Sequence, residues 1–554
     1  MKEQVQIEAT NIYGNDQVVL NQISYSVNRM DFIIDYNQKD NEKNTKKLMS
    51  LAKAIDQNHI SREGYRAIAA IESNLDREWV LSEQRLKITK AMNRKIAITN
   101  IDIPLQNELY FAEDSNISGV EIFYNVNQNI GKGGYRSAKD ILIYVIPILI
   151  LDGILDVSSP TIHLRISGDG RNVGRKIKHV MVTIAILNDK QNIYVPDRHY
   201  TTVLFSGSEK YEILETMMAP FIQELDDLKN NGLIIDGICW NFELYFSSDW
   251  KFLVICLGFN SPNSNHYCPW CQVSKNSQSE TNWGIEKKME QINESLSNYP
   301  GHIKKPLFHM ISLDHWIPDE LHVMLRIWDR LWSLVLAELK ESDQFDDICR
   351  FEITQEMDRI GVKFQFWNEH NSNSWNHTSL MGDDKLKVLE NFNLKKILPP
   401  SRADKIRQLW DGFKWLYHAF KSKNYDPQQF KFEAEEWLEL FLTPDKKIPN
   451  STRIVKGLYN PSAITPYMHV LVCHMHEFME MHQQWGISSF SCSPVEKKNH
   501  QQVSFFFRQT VKDGGNAERK SSIMDILEYE NRSLFYLFDD VATSMEKPKK
   551  LHIS

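Results

Sequence analysis

Cysteine is scarce in this chain: Cys239, Cys256, Cys268, Cys271, Cys349, Cys473 and Cys492 are the seven among 554 residues. An odd, sparse set excludes a disulfide framework and points to a reducing, intracellular compartment. Long apolar runs are also missing. The most hydrophobic stretch, Ile141–Leu151, is broken by Pro147 and falls short of the roughly 20 residues that cross a bilayer. The opening MKEQVQIEAT has no apolar signal-peptide core. A soluble chain with no membrane partner is therefore expected. Positive charge is not in excess either. The 64 Lys and Arg against 72 Asp and Glu leave a net charge of −8. That argues against a general nucleic-acid coat, whose affinity comes from neutralising phosphates, and leaves room only for a local basic face. No internal repeat is visible. Gly131-Lys132-Gly133-Gly134 lacks phosphate-loop spacing, so it reads as a plain loop and a nucleotide-binding function is set aside.

Apolar and aromatic mass is present in quantity. With 14 Trp, 27 Phe and 42% hydrophobic residues, wholesale disorder is excluded and two or three domains can each bury a core. Residues 61–96 read as two helices, the first capped by Ser61 with Ala67, Ile68 and Ile71 at helical spacing. Thr161–Asn172, TIHLRISGDGRN, alternates apolar and polar positions as a half-buried strand does. It ends in a single carboxylate, Asp169, between two glycines, a pattern that a tight turn would equally explain. Arg171, Arg175, Lys176, Lys178 and His179 follow, placing positive charge beside that acid. His179–Leu187 and Asn192–Leu204 predict two more strands, Glu209–Lys229 an amphipathic helix ended by Gly232, and Leu233–Phe246 one strand or two. A helix-rich stretch follows to about residue 442, with Leu321, Leu325, Trp328 and Trp332 as an apolar stripe. The last 30 or so residues turn polar and read as a frayed tail.

Three local patterns can carry chemistry. Cys268-Pro-Trp-Cys271 places two thiolates one turn apart, a spacing suited to tetrahedral Zn²⁺; its polar, loop-like flanks favour zinc over a redox pair. A second CxxC is absent, so the remaining ligands must be His or carboxylate. The dense cluster His469, Cys473, His474, His476 and His482 is the available source. At about 100° per residue His469 shares a helix face with Cys473 or His476 but stands about 140° from His474, so that pair needs a bend. Finally, Glu496 opens a helix with Asn499 one turn on and Val503, Phe506 and Phe507 as its buried stripe.

Taken in order, Gly168-Asp169-Gly170, Ser248-Asp249, Cys268-Pro-Trp-Cys271, Leu321-His322, Tyr467-Met468-His469 with His474, and Glu496-Lys-Lys-Asn499 resemble the catalytic core of the V(D)J recombinase and the Transib transposases. The resemblance covers roughly residues 162–515. It implies a mixed α/β, ribonuclease-H-like core with a large helical, zinc-stapled insertion. It implies Asp169, Asp249 and Glu496 as a catalytic triad holding two Mg²⁺ or Mn²⁺ ions, and Cys268, Cys271, His469 and His474 as a structural Zn²⁺ site. His322 is the family's matching histidine. Arg171, Arg175, Lys176, Lys178 and Asn499 are expected to contact DNA. The implied domains are residues 1–135, a partly helical region; 160–271, the first part of the core; 272–485, the insertion; 486–520, the catalytic helix; and 521–554, the tail. The expected activity is cutting and joining DNA by a nuclear homodimer. The competing expectation is a domesticated, non-catalytic protein that keeps the fold for binding DNA or a partner. The family's RING-type region and basic terminal-repeat-binding domain have no counterpart here.

Overall fold

The computed structural model describes residues 7–8, 22–27, 30–35, 37–72, 74–102, 132–173, 177–368, 375–447, 454–510, 521–539 and 541. They fall into two compact units. The first comprises residues 1–97, 504–512 and 525–554, and the second residues 98–503 and 513–524.

The first unit carries a hairpin, β1 (Gln22–Val27) and β2 (Met30–Asp35), and three helices, α1 (Asn37–Gln57), α2 (Arg62–Ile71) and α3 (Glu78–Lys95). Ser61 caps α2 by accepting from the Gly64 amide, 3.0 Å. The buried face differs from the expected one: Ile68 and Ile71 are exposed, and Tyr65 packs inward with Ile55 and Leu81. Tyr65 wins because its ring fills the core while its hydroxyl still reaches the Asp76 carbonyl, 2.8 Å. The expected C-terminal tail is instead largely a helix, Ser522–Phe538, with Ile526 and Leu527 buried; residues 540 and 542–554 lie outside the described residues. Its polarity misleads because its charges are used inside. Arg532 donates to both oxygens of Asp56 (2.7 and 3.2 Å), Tyr536 donates to the same carboxylate (2.9 Å), and Arg85 pairs with it at 2.5 Å.

That network yields a stability expectation. Burial works against the charge of Asp56, but the Arg532 and Arg85 guanidiniums hold its carboxyl below the ordinary 3.8. A depressed folded pKa means the stabilisation is present above pH 3.8 and lost as pH falls through the folded value. Asp56→Ala leaves Arg532 buried and unpaired. It is expected to destabilise this unit by about 3–5 kcal/mol in urea unfolding at pH 7, with the loss vanishing in acid.

The second unit is mixed α/β, built on a seven-stranded mixed sheet in the order β3-β4-β7-β6-β5-β9-β8. Its strands are β3 (Ile98–Asp102), β4 (Lys132–Arg136), β5 (Thr161–Val173), β6 (Ile177–Ile186), β7 (Tyr200–Ser206), β8 (Leu233–Ile235) and β9 (Ile238–Phe246). Strands β5, β6 and β7 form an antiparallel meander, and β9 joins β5 in parallel. Helix α4 (Ala138–Leu151) precedes β5, and α5 (Tyr211–Asn231) carries the chain from β7 to β8. Along α5, Leu214, Met217, Met218, Phe221, Leu225 and Leu228 are buried, and Gly232 ends the helix at φ 69°, which a glycine adopts at little cost.

Two loop-and-strand expectations are corrected. Gly133 and Gly134, read as a loop, lie within β4, opposite Ile101 and Asn100. A Cβ on Gly133 would stand 2.3 Å from the Met217 side chain, so this glycine allows α5 to approach the sheet closely. Strand β7 begins at Tyr200 rather than Asn192, because Pro196 opens a 3₁₀ turn over Pro196–Arg198 and offers no N–H to a ladder.

Beyond β9 come α6 (Trp250–Cys256), then α7 (Glu320–Glu341), α8 (Asp347–Arg359), α9 (Gly382–Asn391), α10 (Pro400–Lys421) and α11 (Pro427–Phe441). Helix α7 is turned from its expected face: Val323, Met324, Ile327, Trp328, Leu331 and Trp332 are buried, whereas Leu321 and Leu325 are half-buried. Helices α12 (Pro466–His469) and α13 (Met475–Met481) flank a π-helical turn, and α14 is Ser493–Gln509. No helix among the described residues is long and apolar enough to cross a membrane.

Candidate active site and metal centre

The metal centre is the more sharply built of the two sites. Cys268 and Cys271 sit in the loop after α6, and His469 and His474 come from the α12–α13 segment. All four are no more than 2% exposed, and their ligand atoms lie within 4.8 Å of one another. The Cys268 sulfur is 3.4 Å from His474 Nε2, and the Cys271 sulfur is 3.2 Å from His469 Nε2. An α-helix would point the two histidines apart. Residues Val470–His474 form a π-helical turn, whose extra residue per turn brings positions five apart onto one face. The bend that the pair requires is thus a π-bulge.

The donor set fits zinc. Two soft sulfurs and two imidazoles in a closed, buried group are the ligands of a structural Zn²⁺. Glu477 lies 3.2 Å from His474 Nδ1 and accepts from the Ile285 amide at 3.0 Å, the carboxylate support that fixes a ligating imidazole with its other nitrogen toward metal. Glu477 stands three residues beyond His474 on one helix, a spacing visible in the sequence but not singled out there. Burial opposes the charge on Cys268, yet its hydrogen bond with Cys271 and the two imidazoles hold it well below the ordinary thiol range, while burial and the Cys268 sulfur push Cys271 up. The other members of the cluster fall outside this four-donor group. The Cys473 thiol faces the Glu280 carbonyl at 3.8 Å, and His482 Nε2 lies 2.9 Å from the Asp314 carbonyl. Burial pushes His476 down to about 4.

The second site gathers around β5. Asp169 is not in a turn: β5 runs on to Val173, paired with β6 as Asp169 opposite Met181. The pairing with β9, however, ends at Ile166 opposite Phe246. Asp169 therefore lies just past the end of a parallel neighbour, where α/β sheets open crevices at carboxyl ends of strands. The flanking glycines serve close packing rather than turning. A Cβ on Gly168 would stand 2.2 Å from the Phe252 ring, and one on Gly170 would stand 2.1 Å from the Glu209 carboxylate.

Asp249 follows β9 directly and caps α6, accepting from the Phe252 amide at 2.7 Å. The Ser247 amide binds the Ile166 carbonyl at 3.0 Å, and the Ser248 hydroxyl binds the Gly168 carbonyl. These bonds hold the exit of β9 against β5. Glu496 lies in the first turn of α14. The approach to that helix is strapped to the sheet: buried Arg165 donates to the carbonyls of Ser489 and Ser491 at 2.9 and 3.0 Å, and Asp319 accepts from the Cys492 amide at 2.7 Å.

The three acids share one electrostatic environment. Burial pushes Asp169 up to about 6; the Asn499 amide pulls it down, and the charges of Asp249 and Glu209 add to the rise. Burial likewise raises Glu496, with Asp319 and Asp169 adding to it and His322 and Arg171 opposing. His322 is the internal counter-charge. Burial acts against its protonation, but its hydrogen bond to Asp319 and the charges of Asp249 and Glu496 bring it to about 9, and its Nε2 lies 3.8 Å from Glu496. Among the described residues, the Cys₂His₂ donors are the one group of three or more such side chains whose ligand atoms all lie within 4.8 Å of one another. The carboxylates are neighbours in charge without forming a closed cage for one ion.

The expected DNA contacts separate. Asn499 is 1% exposed and donates to Asp169 Oδ2 at 2.7 Å, so it orients a carboxylate. Lys178 is exposed but pairs across the hairpin with Asn172; it therefore points to the opposite face from Asp169. His179 is buried and pushed down to about 4 by that burial, so it adds no positive charge at neutral pH. Arg171 does face the site. Arg175 and Lys176 lie outside the described residues. Glu209, Asp319 and His500, whose Nδ1 lies 3.2 Å from the Arg171 guanidinium, escaped sequence reasoning. Glu209 was visible only as a helix start, and His500 as the residue after Asn499. In comparisons with known proteins, no family model matches the chain and no curated protein matches it.

Proposed function

We propose that this chain is a DDE-type DNA transposase or recombinase with a ribonuclease-H-like core, acting on DNA phosphodiesters in the nucleus as a homodimer. The observation that carries the proposal is the mutual electrostatic influence of Asp169, Asp249 and Glu496, drawn from β5, the exit of β9 and the first turn of α14. The β5-β6-β7 meander with β9 added in parallel supports the core assignment. The Cys₂His₂ group supports the zinc-stapled insertion, because it joins the loop after α6 to the helices just before α14.

The carboxylate oxygens are hard donors suited to Mg²⁺ or Mn²⁺. Bound there, a pair of such ions supplies activation of the attacking oxygen and stabilisation of the leaving oxygen. The protein's own part is positioning. Asn499 fixes Asp169, the Phe252 amide fixes Asp249, and Arg165 and Asp319 fix the approach to Glu496. Protonated His322, among the acids, moderates their mutual repulsion before metal arrives.

Supercoiled plasmid incubated with the full chain and Mn²⁺ tests this. Wild type is expected to nick it, while Asp249→Ala and Glu496→Gln keep their zinc and helical content and do not. An inert wild type, or variants that still cut, would overturn the proposal.

A further inference from the structure

The odd-numbered side chains of β5 share one face of the strand, and three of them reach the same partner. Arg165 holds the lead into α14, Asp169 takes the amide of Asn499, and Arg171 meets the next residue, His500. The guanidinium nitrogen of Arg171 lies 3.2 Å from His500 Nδ1. Because a guanidinium carries only donors, Nδ1 is the acceptor and the ring proton sits on Nε2. Arg171 is half-buried and His500 exposed, so the pair lies at the rim of the carboxylate site. Arg171 is also close enough to Glu496 to oppose the rise in its pKa.

We infer that His500 is a positioning residue that aims Arg171 at a backbone phosphate of the DNA strand flanking the reacting one. This rests on the DNA reading proposed above. The imidazole takes one guanidinium N–H and fixes its plane, leaving the other edge of the fork to meet a phosphate in the two-bond geometry that arginine favours. A lysine there would be a point charge without that geometry. Arg171 is half-buried beside the half-buried acids, so a phosphate on its guanidinium is held next to them.

The test is anisotropy of a short fluorescein-labelled duplex of mixed sequence, titrated with the full chain in Ca²⁺ over a range of salt. Arg171→Ala is expected to weaken binding roughly tenfold and lower the salt slope by about one. His500→Ala is expected to weaken it roughly threefold and His500→Asn, which keeps an acceptor, to return it to within about twofold of wild type. In the double variant the His500→Ala effect should vanish, since the imidazole acts only through Arg171. Losses that multiply in the double variant, or a His500→Ala that binds like wild type, would overturn the inference while leaving the DNA reading intact. Failure of wild type to bind the duplex would overturn both.

Discussion

Asp169→Ala is expected to lower metal-dependent strand cleavage by roughly a thousandfold or more, with folding and zinc content retained. Metal-held charge stabilisation contributes several kcal/mol to such reactions, and each 1.4 kcal/mol is about a factor of ten in rate. Asp169 occupies the most constrained position of the three acids: mid-strand, flanked by glycines that pack against Phe252 and Glu209, and hydrogen-bonded to Asn499. The fold should tolerate the change, because burial makes the ionised Asp169 an unfavourable group, with a pKa raised to about 6. Sign matters here. A carboxyl whose folded pKa exceeds its unfolded 3.8 costs stability as pH rises through that window. Metal-free Asp169→Ala should therefore melt at or slightly above wild type at pH 7, while losing activity. A variant that unfolded would mean the residue is structural.

Loss of the zinc centre should be the largest effect on stability. Cys271→Ser removes one of four buried ligands, and structural zinc carries about 10–16 kcal/mol of apparent binding energy in small zinc domains. This unit has an apolar core of its own, so only part of that energy is at stake. A fall in melting temperature of at least about 10 °C is expected, with about one zinc per chain lost by metal analysis. Activity should fall with it. Zinc held by this group would tie Cys268 to His474 across 206 positions of sequence, and the chain from His474 leads on to Glu496. Cys473→Ala and His476→Ala should retain zinc, since neither residue belongs to the four-donor group. If either lost metal as fully as Cys271→Ser, the ligand assignment would be wrong.

Much of the frame was legible because it rests on short-range patterns. Alternation along TIHLRISGDGRN identified β5, four-residue steps identified α5, and Gly232 marked its end. What escaped depends on partners distant in sequence. The glycines of GKGG look like a loop until Met217 of α5 is seen pressing on β4. The polar C-terminal stretch looks unstructured until Arg532 and Tyr536 are seen closing on Asp56. In the candidate site, spacing alone gave the zinc quartet only as two pairs, and the family resemblance joined them as Cys268, Cys271, His469 and His474. Helical geometry preferred Cys473 or His476 beside His469, and a five-residue π-turn, which no local pattern announced, made His474 the partner instead. The resemblance carries Asn499 as a DNA contact, but nothing local in the sequence shows that its amide is buried on Asp169. The role of His500 depends on strand-face parity at Arg171, and that signal was present in the sequence.

The most direct measurement is the metal preference of Asp249→Cys in strand cleavage. Wild type should cut with either Mg²⁺ or Mn²⁺, because its donors are hard oxygens. A thiolate at this position discriminates against Mg²⁺ far more than against the softer Mn²⁺. The cysteine variant should therefore be inactive with Mg²⁺ and regain cleavage with Mn²⁺. Equal activity of the variant in both metals would show that Asp249 does not touch the catalytic ion and would contradict the assignment of the carboxylate site.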